Sequence, residues 1–372
     1  MRRRFYPALL LVLFLVLAGC TMGVTRYGDL RGYVGIRVNP GIQSQEILLG
    51  EINPEDVVIS SQAFDESEDN IMPLAGAKVY ISGQKGYIPT EQDGIFRAYR
   101  LPVGWKTITI FHPDLRKEII RNKLVQEGPN TLDDAIGGVG YYLVIGIEKY
   151  EYLPDAPGTV SDALSVVDVF ENHTKLPGYV MDLTNRKATK ENIEEAIKNI
   201  PGVTPDDYLV LYFAGRMGWD FLSPYNDNGM LDRDGVPYGA ITDTELELWL
   251  REFPGDVTVI LDGSESATFA DGEETLPIRP LALQKPRYTV ISSAGRDQNA
   301  HVIEGGHGLF TNYLVSGLSE PDERIKADRN RDGTITAHEI FEYVRMKMIG
   351  DVGEAQVPEL YPERANTVIL RY

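Results

Sequence analysis

The sequence predicts a multidomain chain in which an N-terminal β-sandwich precedes a doubly wound α/β domain with a mostly parallel sheet. Three observations predict it. Short runs rich in Val, Ile, Tyr and Phe, bounded by Gly, Pro and Asn, recur from about residue 33 to residue 130 without helical periodicity. From Tyr141 onward, continuous apolar runs alternate with segments whose apolar residues recur at the helical period. The length, 372 residues, also exceeds what one core usually takes.

Ahead of both lies an export leader. Arg2, Arg3 and Arg4 precede an apolar run from Ala8 to Leu17, which ends in Leu17-Ala18-Gly19-Cys20. A basic start, a short apolar stretch and small residues fit a cleaved signal better than a membrane span. The placement of Cys20 resembles the bacterial lipobox, in which the cysteine becomes the lipidated first residue. The resemblance implies a signal peptide at 1–19, a lipid on Cys20, a tether at 20–30 and an exported bacterial lipoprotein on the extracytoplasmic face of a membrane. In a two-membrane envelope, Thr21 after the cysteine points to the outer membrane. Cys20 is the only cysteine, so no disulfide forms within the chain.

The chain carries 36 basic and 55 acidic side chains, a net charge of −19. Removing residues 1–19 takes out three arginines and no acid, which leaves 33 against 55 and a charge of −22. Such a chain repels phosphate backbones and shows no Lys/Arg stripe, so nucleic acid is excluded as a partner class. Cations and basic peptides suit it.

In the first domain, YVGIRV, AKVYIS, GIFRAY and WKTITIF read as strands. The turns Pro73-Leu74-Ala75-Gly76-Ala77, Asp93-Gly94-Ile95-Phe96 and Leu101-Pro102-Val103-Gly104 resemble those of carboxypeptidase-regulatory-like, transthyretin-like domains. That resemblance gives a β-sandwich over 31–133, with residues 40–70 as an acidic, loop-like insertion.

In the second domain, 138–372, the strand YYLVIGI is followed by a helix carrying Val160, Ala163, Leu164, Val167 and Phe170. A strand near 179–183 and a helix with Ile193, Ala196, Ile197 and Ile200 come next, then DYLVLYFAG. Thr242 and Glu245 form a capping box for a helix to about Phe253. The strands VTVILDG and YTVISSAG, helices near 309–318 and 338–348, and the strand TVILRY complete the unit. In open α/β sheets the chemistry lies beyond the carboxyl ends of the strands. Here those ends carry Gly215-Arg216-Met217-Gly218 and Asp262-Gly263-Ser264-Glu265-Ser266.

Across roughly 138–348 the chain resembles the caspase and metacaspase-like peptidase domain. YYLVIGIEKYEYLP is similar to the family's opening strand, GTVSDA (158–163) to its first-helix signature, and KATKENIEEAI to its second helix. YFAG is similar to its third strand, VILDGSES to its nucleophile strand, and VISSAGRDQNA with GGHGLFTNYL to its closing strand and helix. The family places a catalytic His after the third strand and a nucleophilic Cys after the fourth. Arg216 and Ser264 stand at those positions, and no histidine lies between His173 and His301. A thiol is partly ionised at neutral pH, whereas a serine hydroxyl needs a base in contact, and a guanidinium stays protonated. The sequence therefore predicts no cysteine-peptidase activity and leans away from an enzyme. Ser264 reads as a small turn residue, with Glu265 or Asp262 as weak alternatives for its base. Arg216 is expected to pair with Glu265.

In metacaspase-type relatives, an aspartate in the first-helix signature and another two residues before the nucleophile line a pocket for a basic side chain. The matching positions are Asp162 and Asp262. Two readings stand: a basic-peptide pocket, or a helix-flanking residue and a strand end.

Residues 328–339, DRNRDGTITAHE, match the EF-hand loop. Asp328, Asn330 and Asp332 supply oxygens at positions 1, 3 and 5, and Gly333 permits the sharp turn. Thr334 offers a carbonyl, Thr336 fills position 9, and Glu339 closes the shell. The motif predicts a structural Ca²⁺ site, with a polar turn as the alternative. No paired second loop is found; Asp227, Asn228, Asp232 and Asp234 lack the spacing. His112, His173, His301, His307 and His338 have no zinc-ligand spacing and read as surface or capping residues.

The function this supports is a lipid-anchored extracytoplasmic pseudo-peptidase that binds peptide or protein partners, with the sandwich as spacer or adhesion module. Two alternatives stand beside it. One is an active endopeptidase using Ser264, and the other a structural envelope or adhesion protein.

Overall fold

The computed structural model describes residues 25–37, 71–200, 202–231, 233, 237–270, 283, 286–303, 305–319 and 327–372. The signal peptide, Cys20, the segment 40–70 and the residues Asp232 and Asp234 lie outside the described residues.

The first domain contains β1 (Tyr27–Arg37), β2 (Ile71–Pro73), β3 (Lys78–Ile81), β4 (Ile88–Pro89), β5 (Ile95–Pro102), β6 (Gly104–Phe111), β7 (Ile119–Val125), β8 (Gly128–Thr131) and β9 (Ala135–Gly137). One sheet is built on β1, which pairs antiparallel with β2 and β5 and parallel with β8 and β9. The other runs β4-β3-β6-β7. Leu30, Val34, Phe96, Ile108, Ile110 and their neighbours pack between them.

The tether expected at 20–30 is shorter than that, because β1 starts at Tyr27. Its early inward positions are Gly28, Leu30 and Gly32, of which only Leu30 carries an apolar signal in the sequence. At Gly32 the ring of Phe96 occupies the space, and a Cβ there would lie 2.4 Å from it. The sandwich also runs past residue 133, to β9.

The second domain contains β10 (Gly140–Gly146), α1 (Thr159–Asn172), β11 (Gly178–Thr184), α2 (Lys190–Lys198), β12 (Tyr208–Ala214), β13 (Met217–Gly218), β14 (Phe221–Leu222) and β15 (Ile241–Thr242). It continues with α3 (Asp243–Leu250), β16 (Asp256–Asp262), β17 (Tyr288–Ser292), α4 (Leu309–Leu318), β18 (Thr334–Thr336), α5 (Ala337–Val352), β19 (Glu359–Tyr361) and β20 (Val368–Arg371). The main sheet has the order β11-β10-β12-β16-β17-β19, parallel except for β19. Helices α1, α4 and α5 pack on one face through Val166, Phe170, Phe310 and Ile340. Helices α2 and α3 cover the other through Ile193, Ile197, Leu246 and Leu250. Strands buried on both faces need apolar residues throughout, which is why β10 and β12 are continuous apolar runs. The capping box of Thr242 and Glu245 forms as the sequence predicts.

One strand sits elsewhere than expected. TVILRY does not complete the main sheet; its strand β20 pairs antiparallel with β18, and the sheet is closed by β19. Composition cannot separate these, since both are short apolar strands near the same end of the chain.

The sandwich docks on the amino ends of the parallel strands. Arg37 binds the carboxylate of Asp207, which precedes β12 and is wholly buried. Arg121 reaches Asp206 at 2.6 Å, and Lys117 reaches Asp256 at 2.7 Å. Arg116 is half-buried with its guanidinium 3.8 Å from the centre of the Tyr208 ring, and its Nε donates to the Val368 carbonyl at 2.6 Å. Burial lowers its pKa, while the π-face of Tyr208 favours the cation.

Candidate functional site

The carboxyl ends of β10, β12, β16 and β17 open on the opposite side from the sandwich, as the crossover topology requires. Arg216, Ser264, Asp162 and Asp262 lie there.

Arg216 follows β12. Its Nε donates to the Pro154 carbonyl and its Nη2 to the Asp155 carbonyl at 2.9 Å, so the guanidinium is bound to the loop after β10. The expected pair with Glu265 is absent. Glu265 sits close to Trp219, whose Nε1 donates to the Arg296 carbonyl at 3.2 Å, and its backbone takes a left-handed φ of 60°.

Ser264 lies in the turn after β16, where its Oγ accepts the Ala300 N–H at 3.0 Å. Among the described residues no hydrogen bond joins Ser264 to a histidine or a carboxylate. A guanidinium held by two carbonyls offers donors only.

Asp162 and Asp262 are brought together at the start of α4. A Cβ on Gly308 would lie 2.7 Å from Asp262 Oδ2 and 3.1 Å from Asp162 Oδ2, so only glycine fits between the carboxylates. The Gly308 N–H donates to Asp162 Oδ2 at 2.8 Å, and His307 Nδ1 lies 2.8 Å from Asp162 Oδ1. Thr311 Oγ1 donates to Asp262 Oδ2 at 2.6 Å and meets the Tyr212 hydroxyl at 2.5 Å. Both carboxylates thus face the amino end of a ten-residue helix, where the free N–H groups and the macrodipole favour anions. Asp262 ends β16, as one reading of it expects, and Asp162 accepts the N–H at the head of α4 rather than at its own helix. Both are buried. Burial raises the pKa of each carboxyl, and that of Asp262 is pushed up to about 6, with the Asp162 charge adding to the effect and the Thr311 hydrogen bond opposing it.

His307, which reads in the sequence as a surface or capping residue, stands directly before the N-cap Gly308 of α4 and keeps 40% of its side chain exposed, and it makes a contact the sequence does not announce. Its ring is fixed through Nδ1 by a buried carboxylate. The GGHGLFT stretch marks a helix start, but the partner lies 145 residues away, and nothing local points to it.

The loop 328–339 lies apart, between α4 and α5. Asp328 accepts from the Arg331 N–H at 2.7 Å, the Gly333 N–H at 3.0 Å and the Tyr372 hydroxyl at 2.8 Å. Asn330 and Asp332 make short turns onto the Asp332 and Thr334 N–H groups, and Gly333 has a φ of 78°. Glu339 is folded back on Thr336 in a second capping box. The oxygen donors and spacing suit a hard cation. As arranged, however, among the described residues no group of three or more His, Cys, Asp or Glu side chains converges on a metal position. The short strand β18, without a second loop to pair with, pairs with β20.

Compared with known families, residues 139–368 match the family model described as Caspase domain. No curated protein matches the chain.

Proposed function

Because this chain belongs to the caspase-domain family, we propose that it uses the family's cleft to hold a ligand without cutting it. The observation that carries this reading is the state of the two positions after β12 and β16. Arg216 is spent on the Pro154 and Asp155 carbonyls, and Ser264 on the Ala300 N–H. The ligand is a peptide or protein segment with a basic side chain, drawn by the buried carboxylates of Asp162 and Asp262. His307 lies on Asp162 and would move aside for a ligand cation. Residues 1–19 act as a signal peptide and Cys20 carries the lipid that fixes the protein to the extracytoplasmic face of a membrane. The loop 328–339 takes Ca²⁺ through Asp328, Asn330, Asp332, Thr334, Thr336 and Glu339, which requires Glu339 to leave its capping box.

The test is cleavage of a mixed peptide library by the purified protein, with and without Ca²⁺, beside Ser264→Ala. The expected result is no cleavage by either, together with binding of Arg-containing peptides that Asp262→Asn weakens. Cleavage that is lost in Ser264→Ala would make the protein a serine-variant peptidase and overturn the reading.

A further inference from the structure

The sandwich presents an apolar tip at the end where the chain enters β1. Tyr27 pairs with Pro102 at the close of β5, the Val103 N–H donates to the Arg26 carbonyl, and Trp105 stands opposite Leu124 in the register of β6 and β7. All four of Tyr27, Val103, Trp105 and Leu124 are exposed, Trp105 at 71%. Scattered apolar residues on a surface need no explanation, but a cluster at one end of a sandwich does.

Basic residues outnumber acidic ones around it, with Asp29 and Glu127 beside Arg26, Arg100, Lys106 and Lys123, in a chain whose net charge is −19. Arg100 lies 5.4 Å from the centre of the Tyr27 ring, and Arg26 meets Glu127 at 3.7 Å, both side chains being exposed. Lys106 and Lys123 stand directly opposite each other in the register, on the face of the strands opposite to Trp105 and Leu124. Like charges so placed destabilise a strand pair, and among the described residues neither lysine has an ion-pair partner. A negatively charged surface would relieve that repulsion.

We propose that this tip rests on the surface of an anionic phospholipid bilayer, with Trp105 and Tyr27 at the headgroup level and Arg100, Lys106 and Lys123 toward the phosphates. Indole and phenol rings carry an apolar body and a polar edge, which suits that depth, and lysine and arginine reach phosphate from an apolar stem. The proposal rests on the reading of Cys20 as the lipid anchor. Residues 21–26 separate that cysteine from Tyr27, a reach of about 25 Å at most, so the tip is the part of the sandwich tied nearest the membrane. Strand β1 runs from this tip to the junction at Arg37, and the junction lies on the amino ends of the main-sheet strands. The cleft at their carboxyl ends accordingly faces away from the bilayer, toward partners in the aqueous space.

The experiment uses the full lipidated protein in vesicles of phosphatidylethanolamine and phosphatidylglycerol with brominated acyl chains, read by tryptophan fluorescence. Trp219 and Trp249 lie in the second domain and serve as reference. Quenching in the wild type that falls to the unbrominated baseline in Trp105→Phe is the expected result, with weaker quenching in Lys106→Glu/Lys123→Glu. Equal quenching, or none, in the wild type and Trp105→Phe would overturn the tip. The mass of the protein extracted from membranes decides the anchor separately. An unmodified Cys20 sinks the anchor, while quenching of the same protein on the same vesicles still decides the tip.

Discussion

The carboxylate of Asp207, just ahead of β12, holds the guanidinium of Arg37, the last residue of β1. It also accepts the Val139 N–H at 2.8 Å and the Thr204 N–H at 2.6 Å, so the same group ties the sandwich, the linker and the loop before β12. Arg37→Ala leaves a buried carboxylate with its cation gone, a change that typically destabilises by about 3 kcal/mol or more. Denaturant unfolding should show the loss and, with the joint weakened, separate transitions for the two domains. A single unshifted transition would contradict the joint.

Asp262 gives a pH signature. Its folded pKa of about 6 stands above the unfolded value of roughly 3.9, so the folded state holds the proton more tightly. The stability this group contributes is fully present below about pH 4 and is lost as pH rises toward 6. Over that window the loss is on the order of 3 kcal/mol, and Asp262→Asn should flatten it while retaining an acceptor for Thr311. Melting curves of both proteins between pH 4 and 7 check this; parallel profiles would refute it.

Calcium should act on the loop between α4 and α5. With affinity in the range of about 10⁻⁴–10⁻³ M for extracellular modules, 10 mM Ca²⁺ stabilises by about 1 to 3 kcal/mol. Thermal melts with Ca²⁺ and with EDTA should differ in the wild type and coincide in Asp328→Asn. Identical melts in the wild type would leave the loop a polar turn.

Arg216 and Glu265 should behave independently. Arg216→Ala removes two hydrogen bonds to carbonyls at a solvent-accessible site and is expected to destabilise by about 1 kcal/mol. Glu265→Ala should add to it without coupling, because the two side chains have different partners. A coupling energy above about 0.5 kcal/mol in the double-mutant cycle would restore the ion pair.

Much of this architecture is legible in the sequence. The apolar runs of β10, β12 and β16 and the capping box at Thr242 report forces that act within a few residues, so their spacing carries the information. The substitutions at the dyad positions, Arg216 and Ser264, are equally plain. What sequence spacing does not carry is convergence across the chain. Gly28 and Gly32 weaken the apolar signal at the start of β1, since Gly28 is packed against backbone carbonyls and the space at Gly32 is filled by the ring of Phe96. His307 finds Asp162, and β20 finds β18, only once the sheet has set them side by side. The left-handed φ of Glu265 is likewise set by the folded turn and not announced by spacing.

The position of β1 has a mechanical side. It lies inside its sheet, bonded to β2, β5, β8 and β9, with Arg37 clamped at the far end. A pull on the chain at residue 26 along the strand axis would load those cross-strand bonds together in shear, since they lie across the direction of force. They could not be opened one at a time like a zipper. A protein held by its amino end against flow or a tugging ligand would pass that load through the sandwich into the main sheet without first unravelling.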